Sequence, residues 1–283
     1  MSWNTIRRYS PYKYLLILHQ GNESVHQAML KQRLAGNNVD AVAHLARELA
    51  GSVSDLHHAG LVHFDLKLRN VLVSTHSNDG YEISHESDVV LCDLDTSGAI
   101  GSLRLPEDVT GSSGYYAPEI ARWVVALREE KPCQLRCETS QDVWSYGAIL
   151  FELCSGRTLF SVDLLNDTLI HEDEDLMNLC SWQSIDQNRL NTVFKRSKSC
   201  SKKRRSQAQH LIRWCLQGDA SKRPTFDDII RHPFFASENS AGSLFYSAME
   251  TMKEELKKEE LKEEDEDSSS EEDDDNARVM PVQ

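Results

Sequence analysis

The amino-acid sequence predicts an α+β fold in which helices predominate. Residues 39–58 repeat apolar side chains at intervals of three and four, which is the pattern of an amphipathic helix. Residues 142–154 are apolar on nearly every side, as expected for a helix in the middle of a core. Short apolar runs at residues 12–18, 71–73 and 89–92 predict strands. The predicted molecule is therefore built around a buried helix, with small sheets beside it.

Local signals give boundaries to the first helices. Residues 24–34 predict a short helix entered through Ser24, because a serine hydroxyl can accept a hydrogen bond from the first turn. The helix at residues 39–58 has two candidate caps, Asn38 and Asp40. Residues 71–73 and 89–92 follow as two strands joined by a polar loop, so we expect them to pair as a hairpin arm.

Two groups of residues could suggest a metal site. His57, His58 and His63 lie close together in the sequence, but histidines at a helix end are favoured there by the helix dipole. We therefore expect His57 and His58 at the surface and His63 in the core. Cys133 and Cys137 form a close pair without two further ligands at a recognisable spacing, so we expect them to be unligated.

Composition and charge describe a globular region followed by an acidic end. The 283 residues carry a net charge of -14. Residues 250–275 hold 15 acidic and 4 basic side chains, so most of that charge lies there and the first 249 residues are near neutral. Nothing in this balance argues for nucleic-acid binding. Seven scattered cysteines and no long apolar run predict reduced thiols and no membrane span, so we expect a cytoplasmic protein.

Residues 63–70 read His-Phe-Asp-Leu-Lys-Leu-Arg-Asn. This stretch resembles the catalytic loop of the protein kinases, whose pattern is His-Arg-Asp-Leu, three variable residues and Asn. The resemblance implies that Asp65 is the catalytic base, which accepts the proton of the substrate hydroxyl. It implies that Lys67 points at the transferred phosphate, as in serine/threonine kinases, and that Asn70 is a Mg²⁺ ligand.

A second stretch follows the strand at residues 89–92. Asp93-Leu94-Asp95 stands where kinases have Asp-Phe-Gly, which implies that Asp93 is the second Mg²⁺ ligand. We expect Leu94 to replace the Phe as a buried apolar plug. Asp95 in place of Gly predicts a segment less free to change its backbone conformation. Leu72 is expected to pack against adenine, so the implied cofactors are ATP and Mg²⁺.

Residues 96–110 are the expected activation segment, rich in small residues as a mobile loop should be. Residues 111–119 read Gly-Ser-Ser-Gly-Tyr-Tyr-Ala-Pro-Glu and resemble the kinase substrate-docking loop with its Ala-Pro-Glu close. By this resemblance Ser112 takes the place of the Thr that contacts the catalytic Asp and Lys. Glu119 is expected to form a buried ion pair with Arg223.

The second half of the chain supplies the expected core helices. We expect Ser140 to cap the helix at residues 142–154, and the resemblance implies that Asp142 accepts backbone hydrogen bonds from the catalytic loop. Residues 208–216 and 225–231 predict the closing helices. Residues 195–205 contain seven Lys or Arg, which favours a solvated loop between helices; the alternatives are a nuclear-import signal and a docking patch for acidic partners.

The resemblance covers residues 12–235 and implies a domain organisation. We expect residues 1–22 to be a remnant of the small lobe with the hinge strand, residues 23–236 to be the mainly helical large (C-terminal) lobe, and residues 237–283 to be an acidic, largely disordered tail. The sequence contains no Gly-rich phosphate loop and no Val-Ala-Ile-Lys strand. The other departure is Phe64, where regulated kinases have the Arg that receives an activation-segment phosphate.

Two functions from different classes therefore stand. The first is a serine/threonine kinase, truncated at its N-terminus, that transfers the γ-phosphate of ATP to a protein substrate. The second is a non-catalytic kinase-like scaffold that acts by binding other proteins. The retained Asp65, Lys67, Asn70 and Asp93 favour the kinase, and the missing small-lobe motifs favour the scaffold.

Overall fold

The structure is a computed structural model that describes residues 23–74, 87–109 and 112–236. The helices are α1 (Val25–Gln32), α2 (Val39–His58), α3 (Pro118–Arg128), α4 (Thr139–Ser155), α5 (Glu172–Cys180), α6 (Gln187–Leu190), α7 (Lys202–Cys215) and α8 (Phe226–Ile230). The strands are β1 (Glu23–Ser24), β2 (Leu61–Val62), β3 (Val71–Ser74), β4 (Asp88–Leu91), β5 (Gly98–Ala99), β6 (Leu103–Arg104) and β7 (Leu135–Arg136). The hinge strand expected at residues 12–18 and the tail expected at 237–283 lie outside these ranges.

The described part of the chain divides into two units, and the boundary lies between Arg231 and His232. All of the helices and strands named above belong to the first unit. Of the second, the structure describes residues 232–236, where a single 3₁₀ turn, Pro233–Phe235, begins at His232. None of the helices in the described ranges is both long enough and apolar enough to cross a membrane.

The first two helices begin where side-chain caps are available. The hydroxyl of Ser24 accepts a hydrogen bond from the backbone of Gln27 at 3.3 Å, and the Gln27 side chain accepts one from the backbone of Ser24 in return. The bounds of α2 are those predicted, and of its two candidate caps the structure selects Asn38, which accepts from the backbone of Ala41 at 3.1 Å. The predicted helix entry at Ser24 is therefore confirmed.

The predicted hairpin, β3 and β4, supplies two strands of a three-stranded antiparallel sheet in the order β1-β3-β4, with β3 in the middle. The register pairs Val71 with Leu91 and Val73 with Val89. Because of this register, the residue before β3 and the residue after β4 lie side by side: Cys92 donates its backbone N–H to the carbonyl of Asn70 at 2.9 Å. The sheet thus brings the 63–70 loop next to the Asp93-Leu94-Asp95 stretch.

Two smaller sheets include residues from the 98–104 stretch and fix it by backbone hydrogen bonds. Strand β5 pairs antiparallel with β2, and β6 pairs antiparallel with β7. Ser102 adds an acceptor for the backbone N–H of Cys137 at 2.9 Å. The segment expected to be a mobile loop is therefore held by backbone hydrogen bonds on both sides.

Helix α4 forms the core. Every residue from Gln141 to Ser155 is buried, and the side chains of Trp144 and Tyr146 are completely inaccessible to solvent. The hydroxyl of Tyr146 donates to the carbonyl of Ala46 at 2.9 Å and so joins α4 to α2. The predicted central helix is confirmed. Nearly all of its faces are apolar because other elements surround it.

The predicted start of α4 was wrong. The helix begins at Thr139 with Glu138 in the cap position, and Ser140 lies inside the first turn. The side chain of Gln141 accepts the backbone N–H of Glu138 at 2.8 Å, which satisfies a group at the helix start without the serine hydroxyl. The carbonyl of Ser140 instead accepts a hydrogen bond from Arg223 at 2.9 Å.

The predicted start of α7 was also wrong. The helix begins at Lys202, six residues before the predicted Ala208, because Ser201 accepts a hydrogen bond from the backbone of Arg204 at 3.1 Å and caps it there. The last four residues of the basic run at 195–205 are thus helical instead of a loop. Helix α8 follows the prediction, with Thr225 as its cap.

Candidate active site

The 63–70 loop connects β2 to β3, and its first residues are hydrogen-bonded to the start of α4. His63 is completely buried, as predicted, and one of its ring nitrogens lies 3.2 Å from the carbonyl of Cys92. Phe64 has a left-handed backbone with φ of 70°, a conformation that costs a residue with a side chain about 1–3 kcal/mol. Interactions around the loop must offset this strain.

Asp142, at the start of α4, supplies those interactions. Its carboxylate accepts the backbone N–H of His63 at 2.8 Å and of Phe64 at 2.9 Å. It also accepts the ring N–H of His57 at 2.9 Å, and its side chain is only 1% exposed. A buried carboxylate with three donors is well satisfied, so Asp142 fixes the backbone just before Asp65. The two backbone contacts are those that the resemblance implied.

The predicted surface position of His57 was wrong. Its side chain is 11% exposed, because the ring packs edge-on against Phe226 at 5.1 Å in addition to its bond with Asp142. His58 is exposed as predicted. In the part of the chain that the structure describes, no three His, Cys, Asp or Glu side chains form a group that could hold a metal ion.

The side chains of the 63–70 loop converge on one carboxylate oxygen. Lys67 donates to Oδ2 of Asp65 at 2.7 Å, and Asn70 donates to the same oxygen at 3.1 Å. Lys67 also donates to the hydroxyl of Ser112 at 2.7 Å, which links the loop to a segment 45 residues away. Both of these donors bind Oδ2, and Oδ1 of Asp65 has no donor among the described residues.

Asn70 and Asp93 are the residues that could hold a cation. The β3–β4 register places Asn70 beside Cys92, and Asp93 is the next residue. Asp93 is exposed, has a left-handed backbone with φ of 64°, and its carboxylate makes no hydrogen bond or ion pair within the described ranges. An amide oxygen and a free carboxylate are the hard oxygen donors that Mg²⁺ binds, and Mg²⁺ takes few protein ligands beside phosphates and waters. These two residues therefore fit Mg²⁺.

The expectation that Leu94 is a buried plug was wrong. Leu94 is 44% exposed, and Asp95 next to it is exposed too. The chain turns here, with the backbone N–H of Ser97 bonded to the carbonyl of Leu94 at 3.0 Å, which leaves the Leu94 side chain outside the core. Leu72, the residue expected to pack against adenine, is half-buried on β3.

Residues 112–119, here called the 112–119 loop, comprise the loop before α3 and the first two residues of that helix, and they are hydrogen-bonded to residues 167–169 and to α4. The hydroxyl of Ser113 accepts the backbone N–H of Leu169 at 3.0 Å, and the backbone N–H of Gly114 donates to the carbonyl of Asp167 at 3.0 Å. The hydroxyl of Tyr115 donates to the carboxylate of Glu152 at 2.9 Å. Burial raises the pKa of Glu152 from 4.5 to about 7, against the effect of the Tyr115 hydrogen bond.

The ion pair expected between Glu119 and Arg223 is present. The guanidinium meets the carboxylate with two hydrogen bonds, of 2.7 and 2.8 Å, and the Arg223 side chain is fully buried. Its plane also lies over Trp144, 5.2 Å from the ring centroid. A bidentate pair in a buried site fixes the end of the 112–119 loop against the core helix.

Sequence reasoning missed two arginines in the site. Arg69, within the 63–70 loop, pairs with the buried Asp167 at 3.1 Å. Arg104, on β6, places its guanidinium 4.2 Å from the centroid of the Phe64 ring and donates to the carbonyl of Thr96 at 2.8 Å. Both side chains reach across from one loop to another, and no spacing in the sequence could have predicted their partners.

The chain is similar in sequence to known proteins. The family model for the protein kinase domain matches residues 5–235. The chain is 26% identical over 205 residues to the serine/threonine-protein kinase ATG1c of Arabidopsis thaliana, which covers 70% of this chain and 22% of that protein. It is 30% identical over 189 residues to the calcium-dependent protein kinase 2 of Zea mays, covering 65% and 33%. It is 25% identical over 212 residues to the serine/threonine-protein kinase PKZ1 of Phytophthora infestans, covering 70% and 45%.

The chain thus spans less than half the length of each of these three relatives. The family model itself, however, matches far more than half of the 283 residues. It also includes every residue of the site described above, from Asp65 to Arg223. This chain belongs to the protein kinase family.

Proposed function

We propose that this chain is a serine/threonine kinase that transfers the γ-phosphate of ATP to a hydroxyl group of a protein substrate. The observation that carries the proposal is the contact of Lys67 with both Asp65 and Ser112, each at 2.7 Å. This contact joins a candidate base to the loop on which a substrate would lie. The named relatives, serine/threonine kinases among them, support the same reaction class.

The chemistry assigned to Asp65 follows from its free oxygen. Lys67 and Asn70 both donate to Oδ2 and so fix the orientation of the Asp65 carboxylate. Its Oδ1 can then accept the proton of a substrate hydroxyl. The hydroxyl oxygen forms a bond to the γ-phosphorus, the bond from that phosphorus to the bridging oxygen breaks, and ADP leaves with the electron pair. The ammonium of Lys67, which contacts Asp65 and Ser112, would stabilise the negative charge of the transferred group.

The nucleotide site of this proposal is formed by β3 and the residues after β4. Asn70 and Asp93 would hold Mg²⁺, and Leu72 would contact the adenine. Mg²⁺, when bound, neutralises charge on the phosphates. Asp93 contributes an exposed carboxylate that has no hydrogen-bond or ion-pair partner among the described residues.

The experiment that tests the proposal is phosphate transfer by Asp65→Asn. Radiolabelled transfer from Mg-ATP to a generic protein substrate is measured for the full chain and the variant, and we expect the variant to lose at least about a hundredfold in rate, because general-base contributions are of that order. The matched control is Asp55→Asn, which removes the same charge from an exposed position on α2. Equal rates for Asp65→Asn and the parent chain would overturn the assignment of Asp65 as the base.

The alternative is the non-catalytic scaffold. It is favoured by the apolar side chains exposed beside the nucleotide residues, Val90 at 50% and Leu94 at 44%. A titration of the chain with Mg-ATP by calorimetry separates the two functions. Binding together with transfer supports the kinase, whereas absence of both supports the scaffold.

A further inference from the structure

Residues 162–169, between α4 and α5, form a tight turn, here called the 162–169 turn. Val162 and Leu169 close it as an antiparallel bridge. Within it the backbone N–H of Asp163 donates to the carbonyl of Thr168, and that of Asp167 donates to the carbonyl of Asp163, each at 2.8 Å. The two hydrogen bonds cross the turn, so its conformation is fixed by its own backbone.

The tip of this turn presents two leucines to solvent. Leu164 is 64% exposed and Leu165 is 89% exposed, although the backbone N–H of Leu165 is bonded to the side chain of Asp163 at 2.8 Å. Ile170, just after the turn, is 60% exposed. Single exposed apolar side chains are common, but adjacent ones on a rigid turn form a contiguous apolar surface.

The 162–169 turn is fastened to the two loops of the candidate active site. From the 63–70 loop, Arg69 pairs with Asp167 at 3.1 Å and donates a second hydrogen bond to the carbonyl of Leu164. From the 112–119 loop, Gly114 donates to the carbonyl of Asp167 at 3.0 Å. Two of these bonds hold the turn at Asp167 and one holds it at the leucine tip itself.

The position of Arg69 sets where the tip lies relative to the reacting groups. Arg69 is two residues after Lys67 and one before Asn70, so its backbone is within about 7 Å of both. A polypeptide that places a hydroxyl at Asp65 and runs along the 112–119 loop therefore passes the tip within a few residues of that hydroxyl. An extended chain advances about 3.3 Å per residue, which limits the separation to roughly five residues.

We propose that Leu164 and Leu165 form an apolar docking ledge that selects protein substrates carrying a large apolar side chain close to the acceptor hydroxyl. The proposal rests on the proposed kinase function and names the substrate class of that site. The occupant is a substrate segment and not a second copy, because the ledge is bonded to the 63–70 and 112–119 loops, which meet the substrate in the proposed function. Burial of a large apolar side chain against two leucines accounts for a preference of about tenfold.

A peptide series tests the ledge. Each peptide has one Ser acceptor in a background of Ala and Gly and carries a single Leu or a single Gln. In successive peptides that residue occupies each of the five positions before the Ser and each of the five positions after it. The full chain is assayed for phosphate transfer, and peptides with Ala in place of the acceptor are assayed for binding by fluorescence anisotropy. We expect Leu at one position to raise kcat/KM and affinity about tenfold over Gln at the same position.

Variants connect this preference to the ledge. The change L164S with L165S should abolish the preference for Leu over Gln, and both side chains are exposed enough that the fold should tolerate it. The matched control is Leu30→Ser on α1, whose side chain is 63% exposed, and it should keep the preference.

The outcomes separate the ledge from the kinase function. Transfer to Leu and Gln peptides at equal rates, or a preference that survives the double variant, overturns the ledge and leaves the kinase function standing. If no peptide is phosphorylated, the kinase function fails, and anisotropy decides the ledge: selective binding of the Leu peptide that the double variant loses supports it, and equal or absent binding overturns it. Concentration-dependent dimerisation lost in the double variant also overturns it, because a second copy is then the occupant.

Discussion

The residue before the candidate base shows how one buried carboxylate can hold a strained backbone. Phe64 has φ of 70°, and the two backbone N–H groups at His63 and Phe64 both donate to Asp142. A carboxylate can accept these and the His57 hydrogen bond because it has two oxygens with two lone-pair sites each. The amide of an asparagine at this position could accept at only one atom.

The first prediction is therefore that Asp142→Asn destabilises the fold. One donor would face the amide NH₂ group and lose its partner in a buried site, which costs about 3 kcal/mol. For a domain of this size we expect the melting temperature to fall by about 6–12 °C. Thermal denaturation followed by circular dichroism measures this, with exposed Asp55→Asn as the control. A change below about 1 °C would mean that the loop does not depend on this carboxylate.

Phe64 also has a role that its sequence position did not predict. Regulated kinases have at this position the Arg that receives an activation-segment phosphate, and this chain lacks it. The structure places Arg104 against the Phe64 ring instead, with hydrogen bonds to the carbonyls of Thr96 at 2.8 Å and Asp108 at 3.2 Å. The guanidinium thus forms hydrogen bonds to both ends of residues 96–108. It also contacts the 63–70 loop, which carries the candidate base.

The second prediction is that Arg104 and not a phosphate orders this segment. Arg104→Met should lower the rate of phosphate transfer about tenfold or more, because three contacts are lost and Asp108 keeps no cation partner among the described residues. Ser97→Ala and Ser102→Ala should change the rate less than twofold. Arg47→Met, exposed on α2, is the control for loss of charge. A large loss in a serine variant that Glu restores would show that a phosphate is needed after all.

At the scale of the element, the contact between α4 and α7 depends on a glycine. A Cβ at Gly147 would lie 2.7 Å from Cβ of Cys215 and 2.9 Å from a side-chain carbon of Leu216. Gly51, inside α2, has nothing within 4 Å of the same atom. The two glycines share a helical setting and differ in their surroundings.

The third prediction uses this contrast. Gly147→Ala should destabilise the fold by about 1–3 kcal/mol, because the overpacked helices must move apart. Gly51→Ala should stabilise it by about 0.5–1 kcal/mol, because alanine loses less backbone entropy in a helix and meets no neighbour. Urea denaturation of both variants measures the two changes. Effects of the same sign would show that the close approach of α4 and α7 does not limit packing.

The basic run shows why an element boundary was missed. Lys202, Lys203, Arg204 and Arg205 lie in the first turn of α7, where positive charge opposes the helix dipole. The sequence pattern therefore favoured a loop. The structure provides compensation in the Ser201 cap and in an ion pair of Arg204 with Asp40 on α2 at 3.2 Å. A capping serine and a distant carboxylate outweigh local charge repulsion here.

At the scale of the whole molecule, motifs predicted contacts that periodicity could not. Glu119 and Arg223 are 104 residues apart, and their pairing was expected because each belongs to a motif of one known family. The long helices α2 and α4 were expected because many apolar residues repeat in them. Helices α5 and α6 are short and polar, and α3 directly follows a loop motif, so no long pattern marked them. The exposure of Leu94 depends on a turn that no spacing encodes.

Glu152 gives the whole molecule a titratable group in its core. The side chain lies on α4, only 5% of the residue is exposed, and its nearest hydrogen-bond partner is the hydroxyl of Tyr115. Burial raises its pKa from 4.5 to about 7, with the neighbouring Asp167 acting in the same direction and Arg69 opposing it. The folded state therefore binds this proton more tightly than the unfolded chain does.

The last prediction is a pH dependence with a defined sign. Below about pH 4.5 both states are protonated and the stabilising contribution is fully present; it is lost as the pH rises towards 7, because the unfolded chain ionises first. The total loss is about 3 kcal/mol. Glu152→Gln keeps an acceptor for Tyr115 and cannot ionise, so its stability should fall less over this range. Urea denaturation of the parent chain and the variant at pH 5, 6, 7 and 8 measures the difference, which should grow with pH and level off above 7. Parallel curves would mean that Glu152 does not titrate in this range.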